Sequence, residues 1–446
     1  MRWLPCKGFT AARDGAYEVC VRSPLLAGKD AREPVYNIAG IDVHKKMLAV
    51  VIANARDTEL QFECRKFGTT VSELRHLSAW LQERGVQEAA MESTAQYWKP
   101  VWIALEGQCR LHLAQARSNR GPRGRKTDFR DAKRIVSRLL SGDLILSFVP
   151  EREQRWWRTL TRSRHQLRED RVRLQNQLEN LLEEVQIKLS SFITDLLGKS
   201  GQRILRALAE GESDPARLAD LGNWRLRASK EELREALCGQ LQPLHRQLLS
   251  LYLERLDLIE AQMDTLEKSI ARELHAHQEA VTRLVEIPGI GVDSAQQIIA
   301  EIGPDAAAFP SAAQLASWVG VCPGRQESAG ESSSNRSAKG NRTMRRLLSQ
   351  LAHAAVKKDG CRLQIVFRRW LPRMGYGKAI WAVAHRLCRV IWKVLHDNVP
   401  YIEKGVETNP KAQKERCRRL VAELRRLGYQ VELPARAPGP IPDPGV

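Results

Sequence analysis

The sequence contains no Cys-x-x-Cys pair, and its nine cysteines are scattered and odd in number. That excludes a structural zinc site built on such pairs and argues for reduced thiols rather than a disulfide frame. Long apolar runs are also lacking. The longest, Met47 to Ala53, is far short of the roughly 20 residues a membrane helix needs. The first 30 residues hold no continuous apolar segment of the secretory kind, so a cytosolic chain is expected. No internal repeat of fixed period occurs. Acid is the minority charge: 52 Asp and Glu face 71 Lys and Arg, a formal charge of +19. What is present is 446 residues, enough for two or three domains, of which 43% are hydrophobic. Real cores are possible and a mostly disordered chain is excluded. A chain this basic is most simply a binder of polyanions, nucleic acid being the commonest.

Residues 1–34 show no lasting period and read as an irregular extension. From 35 to 149, strand and helix patterns alternate. Tyr36–Val43, Lys46–Ala53 and Leu60–Phe67 read as strands, Val71–Gln82 as a helix, and Val86–Met91 as a strand. Tyr97–Glu106 reads as a helix, Leu111–Ala116 as a strand and Phe129–Leu140 as a helix. The order β-β-β-α-β-α-β-α suggests a mixed sheet flanked by helices. Residues 151–280 carry almost no strand signal. Leu174, Leu178, Leu181 and Val185, then Ile259, Met263, Leu266 and Ile270, recur at heptad-like spacing. Two long helices are expected there, packed on each other or forming a dimer seam, with a Gly- and Trp-containing stretch from Gly198 to Arg227 between them. Residues 284–400 read as short helices interrupted by a Gly/Ser/Arg-rich loop from Gly320 to Arg342. Residues 401–446 read as a helix followed by a Pro-rich, disordered tail.

Four acids draw attention within the first unit. Asp42 lies among Ile and Val in a strand, where a carboxylate is costly unless paired. Glu92 follows the strand ending at Met91. Asp128 and Asp131 share one face at the start of a helix. Each has a plain explanation: Asp42 paired to Lys45 or Lys46, Glu92 at a surface strand end, Asp128 as a helix N-cap. Together they match the order found in ribonuclease H-like nucleases. Acids gathered from distant positions would hold two Mg²⁺ for phosphodiester chemistry. Arg117, Arg120, Arg123, Arg125, Lys126 and Arg130 border them, where a phosphate backbone would arrive.

The second group is C-terminal. Ile287-Pro-Gly-Ile-Gly291 before a helix resembles a helix-hairpin-helix, in which Gly289 and Gly291 would let backbone N–H groups grip phosphate, or it is only a tight turn. The loop beyond Trp318 carries Ser328, four further serines from 332 to 337, and Arg325, Arg336 and Arg342. A serine needs such an electropositive setting to act as a nucleophile, but composition does not single one out.

Gly40-Ile-Asp-Val-His-Lys45, Met91-Glu-Ser-Thr94, Lys126-Thr-Asp-Phe-Arg-Asp-Ala132, the Ile-Pro-Gly-Ile-Gly turn and Val319-Gly-Val-Cys-Pro-Gly-Arg-Gln-Glu-Ser-Ala-Gly330 resemble the DEDD transposases of bacterial insertion sequences. The resemblance runs from about residue 36 to residue 396. It implies a RuvC-like N-terminal domain and a C-terminal transposase domain, and a recombinase that moves its own element. It further implies a guide (bridge) RNA pairing with donor and target DNA, a homo-oligomer (dimer or tetramer), and a bacterial, nucleoid-associated location. By carry-over, Asp42, Glu92, Asp128 and Asp131 would bind Mg²⁺, and Ser328 in Ser-Ala-Gly would attack a DNA phosphate. Ala329 departs from the glycine common in that triplet. Two other readings compete. One is a RuvC-like nuclease or junction resolvase that uses water. The other is a nucleic-acid-binding structural protein whose acids are caps and surface charge.

Overall fold

The run Asn37–Val43 is apolar on both sides because the strand it forms (β1) is covered on both faces. Beside it lies β2 (Met47–Asn54), and β3 (Glu63–Gly68) pairs with β2. Helix α1 (Val71–Glu83) follows, capped by the Thr70 side chain, then β4 (Val86–Ser93), α2 (Trp98–Leu105), β5 (Arg110–Ala114), α3 (Asp128–Ser141) and a two-residue β6 (Leu146–Ser147). The six strands form one mixed sheet in the order β3-β2-β1-β4-β5-β6. Strands β1, β4 and β5 run parallel, and the other pairs are antiparallel. The computed structural model describes residues 36–55, 60–93, 95–115, 127–223, 226–324, 326–328, 331–334, 336–403, 410–426 and 430. The expected extension over 1–34 and the Pro-rich tail lie outside them.

Strand parity sorts the two faces. Ala39, Ile41 and Val43 pack with Leu74, Leu77 and Trp80 of α1 and with Val101 and Leu105 of α2. Ile38 faces the other way, against Ala132 and Val136 of α3. Gly40 lies beneath α3, and a β-carbon there would collide with the Ala132 carbonyl and the Val136 side chain. Only glycine lets the helix sit this close, which brings the start of α3 over the end of β1. Farther down the same face, Glu88 is buried against His112, and Tyr36 Oη donates to it at 2.9 Å. Burial alone would raise the Glu88 carboxyl, but the bonds from His112 and Tyr36 hold it below its ordinary value.

Beyond the sheet the chain is mostly helical. Helix α4 (Arg152–Glu184) and helix α9 (Pro243–Glu273) pack along each other within one chain. Leu174, Leu178 and Leu181 share a core there with Leu249, Leu253 and Ile259. The stretch from Gly198 to Arg227, with its flanks, is more ordered than its composition suggests. It contains α5 (Leu189–Phe192), α6 (Lys199–Glu210), α7 (Pro215–Asp220) and α8 (Lys230–Ala236). The signals were local: Asp214 with Pro215 caps α7, and Ser229 with Glu232 forms a capping box on α8.

A separate core follows, built by α10 (Gln278–Val285), α11 (Val292–Ile302), α12 (Ala312–Val319), α13 (Arg342–Ala355), α14 (Arg362–Met374) and α15 (Tyr376–His396). The expected loop from Gly320 to Arg342 instead holds a short hairpin, β7 (Gln326–Ser328) with β8 (Glu331–Ser334). Its serine-rich strands lack apolar alternation, so the sequence gives no strand signal there. Helix α16 (Pro410–Arg426) follows. Among the described residues, no helix is long and apolar enough to cross a membrane.

Candidate metal centre

Asp42 and Glu92 are direct partners in the parallel pairing of β1 and β4. Neighbouring strands lie about 4.8 Å apart, so two carboxylates project side by side from the same face. Glu92 sits inside β4 rather than after it, and its Oε2 is buried. Helix α3 covers that face and starts with Asp128 and Asp131 in its first turn. The helix N-terminus favours acids electrostatically. Thr127, not Asp128, is the N-cap residue, so capping does not account for Asp128. Asp131 is buried and accepts from Arg134 Nη1 at 2.6 Å.

His44, two residues beyond Asp42, completes the cluster. Its Nε2 lies 3.1 Å from Asp42 Oδ2 and 3.4 Å from Asp128 Oδ1. One ligand atom from each of Asp42, His44 and Asp128 falls within 4.8 Å of the others. Lys66 lies 3.9 Å from Asp128 Oδ2. The register carries Lys66 to Ala49 and Ala49 to Asp42, placing Lys66 on the same face. Carboxylates crowded in this way repel unless cations join them. Protein cations flank the cluster, and its oxygen-rich donor set fits a hard divalent metal ion. Asp42 and Glu92 thus share one face of the sheet, under the helix whose first turn carries Asp128 and Asp131, and among the described residues the ligand atoms that come within 4.8 Å of one another are those of Asp42, His44 and Asp128. Reading the sequence placed Arg134 beside the acids but did not identify His44 or Lys66 as neighbours. Parity along β1 could have found His44, whereas Lys66 needed the register.

The C-terminal candidates lie elsewhere. Ser328 ends β7 and pairs in register with Glu331. The hairpin stands on a pinched stem. A β-carbon at Gly320 (φ +80°) would collide with Gly340 and the Ala338 carbonyl. Arg345 ties this stem together by donating to the carbonyls of Gly320 and Ala338, and it lies 4.6 Å from the Trp381 ring. Asn341 caps α13 and also donates to Glu301 Oε2 at 3.1 Å. Glu301 is fully buried and takes two bonds from Arg162, at 2.7 and 2.9 Å, with Arg158 at 3.5 Å. Burial pulls the Arg158 guanidinium down to about 10, although Glu301 opposes this. The base of the serine hairpin is therefore bolted to α4, the helix that leaves the sheet.

Gly289 lies in the turn between α10 and α11, pressed against Leu351 and Ala355 of α13, while Gly291 opens onto free space at the start of α11. The first turn of α11 already carries Asp293, paired with Arg168 at 2.5 Å and with Arg164. Arg130, Arg336 and Arg342 are exposed. Arg117, Arg120, Arg123, Arg125, Lys126 and Arg325 lie outside the described residues.

Comparison with known proteins decides the family. A DEDD transposase model of the IS110 group matches residues 39–187, spanning the whole acidic cluster, and the model of the IS116/IS110/IS902 transposase family matches residues 281–365. The chain belongs to the IS110 family of transposases. A probable family 20 transposase of Pseudomonas aeruginosa is 26% identical over 84% of this chain and 97% of its own length. A putative transposase of Sinorhizobium fredii is 25% identical over 41% of this chain and 48% of its own. An uncharacterized protein of insertion element IS110 in Streptomyces coelicolor is 29% identical over 34% of this chain and 38% of its own. For this transposase, the family implies a DNA-cutting enzyme, and the acidic cluster is compatible with a divalent metal.

Proposed function

We propose that this transposase cuts and rejoins DNA at a ribonuclease H-like, RuvC-like centre in which Asp42, Glu92, Asp128 and Asp131 hold two Mg²⁺ ions. The observation that carries this reading is that Asp42 and Glu92 pair by register while Asp128 and His44 bring ligand atoms within 4.8 Å of Asp42; Asp131 lies in the same first turn of α3 as Asp128. Such ions, when bound, activate the attacking oxygen and steady the leaving one. The protein's own part is to fix the carboxylates on a rigid sheet and helix and to bring up phosphate. Arg130, and Arg117, Arg120, Arg123, Arg125 and Lys126, which precede α3 in the sequence, do the latter. Gly289 and Gly291, as a helix-hairpin-helix, and Arg325, Arg336 and Arg342 do so in the C-terminal part.

In this reading residues 35–149 are the nuclease-like domain, 151–280 a coiled-coil linker and 284–400 the transposase domain. Ser328 is the nucleophile. Its Oγ forms a bond to a DNA phosphorus, one P–O ester bond breaks, the serine proton passes to solvent and the released DNA oxygen takes one up. A DNA hydroxyl then attacks the phosphoserine, joining strands and freeing the serine. The place of Ser328 at the end of β7, on a hairpin whose stem is closed at Gly320 and Gly340, supports this role. An element-encoded guide RNA and a homo-oligomer that shares sites between protomers complete the assembly. The charge of +19 suits a polyanionic guide, and the oligomer rests on the family resemblance.

Denaturing gels of DNA incubated with the protein and Mg²⁺ test the serine. Covalent protein–DNA adducts are expected with the native chain and absent with Ser328→Ala. Adducts that persist in the variant would overturn the assignment of Ser328. Cleavage by the native chain with no adduct at all would favour a nuclease or junction resolvase that uses water.

A further inference from the structure

His44 belongs to none of the four acidic positions, yet it stands between two of them. Residues two apart on a strand share a face, so its side chain follows that of Asp42. Its backbone N–H donates to Met47 O at 2.9 Å, closing the short turn into β2 and fixing the residue at the mouth of the cluster. From there Nε2 reaches Asp42 Oδ2 at 3.1 Å and Asp128 Oδ1 at 3.4 Å. Three potential ligand atoms, one nitrogen and two oxygens, lie within 4.8 Å of one another. The side chain is 40% exposed, which leaves room for waters or phosphate to complete a coordination shell.

Resting on the reading of this face as a metal centre, we infer that His44 is a nitrogen ligand of the divalent cation, completing a cradle with Asp42 and Asp128. The neutral imidazole would present the Nε2 lone pair and carry its proton on Nδ1. An imidazole changes which ion the site prefers. Carboxylate and water ligands suit Mg²⁺, whereas a nitrogen raises affinity for first-row transition ions over the alkaline earths. The site therefore discriminates toward Mn²⁺ more than four carboxylates alone would.

The competing role for His44 is a counter-cation that joins the two carboxylates when no metal is bound. The two roles differ in sign. Removing a ligand weakens metal binding, whereas removing a resident cation strengthens it.

The full chain without DNA is titrated with Mn²⁺, followed by electron paramagnetic resonance, and Mg²⁺ affinity is measured by competition. His44→Ala is expected to weaken Mn²⁺ binding at least about tenfold, since losing even an outer partner of a ligand costs that much. Mg²⁺ binding should fall less. Pulsed measurements should show a nitrogen coupling to bound Mn²⁺ that disappears in the variant. Tighter binding of both ions in His44→Ala, an unchanged preference between them, or no nitrogen coupling in the native protein would overturn the inference. Asp42→Asn separates the two levels of reading. If it abolishes Mn²⁺ binding while the nitrogen coupling is missing from the native chain, the metal centre stands and His44 is not a ligand. If the native chain binds neither ion, both readings fall.

Discussion

Asp42→Asn is expected to lower divalent-dependent DNA cleavage by at least about a thousandfold while the chain still folds. The magnitude follows from the several kcal/mol of charge stabilisation that a metal ion supplies at a phosphoryl centre, with each 1.36 kcal/mol a factor of ten in rate. The substitution keeps the shape of the side chain and removes one negative charge from a crowded cluster. Folding should therefore be unharmed or slightly favoured, because like charges no longer press together. Supercoiled DNA nicking in Mg²⁺, run beside thermal denaturation of both proteins, gives the comparison. A variant that folds and still cleaves at the native rate would remove Asp42 from the chemistry. A binding protein whose acids are only surface charge would give a third pattern, with no cleavage in either chain and equal DNA binding.

Glu301→Ala is the second large effect, and it acts on stability. Glu301 is fully buried at the end of α11 and joins three partners from two other elements: Arg158, Arg162 and Asn341. Its removal leaves Arg158, itself largely buried, without its carboxylate. Breaking a buried pair by deleting one partner costs about 3–5 kcal/mol, because the remaining charge stays desolvated. Urea unfolding should show that loss. The exposed Glu279, in contrast, pairs with Arg283 at the surface, and its substitution should cost about 1 kcal/mol or less. The hub also ties the N-cap of α13, and so one leg of the serine hairpin, to α4. Adduct formation by Ser328 should fall in Glu301→Ala even under conditions where the variant remains folded. Full stability in the variant would mean that Arg158 and Arg162 find other partners.

How much of this was visible in the sequence depends on the range of each interaction. The elements of the first unit were legible from β1 to α3 because period-two and period-3.6 patterns are local. The four acids were legible as candidates for the same reason. The order of elements led to the expectation that they gather, but not to the register that sets Asp42 directly beside Glu92, which comes from pairing across 50 residues of chain. The role of Gly40 depends on a helix more than 90 residues away, so the motif showed a glycine without showing its cause. Glu301 looked like an ordinary helical acid, since nothing local reveals that Arg158 and Arg162 bury it. His44 is within reach of simple parity from Asp42, but nothing local shows that its imidazole also meets Asp128 on a distant helix. The β7–β8 hairpin was missed for a different reason: its strands are polar, and close contact at Gly320 and Gly340 shapes the stem rather than an apolar face.

Crystals of the full chain soaked in Mn²⁺, measured near the manganese absorption edge, locate bound ions without reference to activity. Anomalous peaks are expected at the carboxylates of Asp42 and Asp128, with Glu92 and Asp131 bordering them. Mn²⁺ bound only at other carboxylates, or a cluster that stays free of the ion at saturating concentration, would contradict the reading of this face as a metal-dependent DNA-cutting centre.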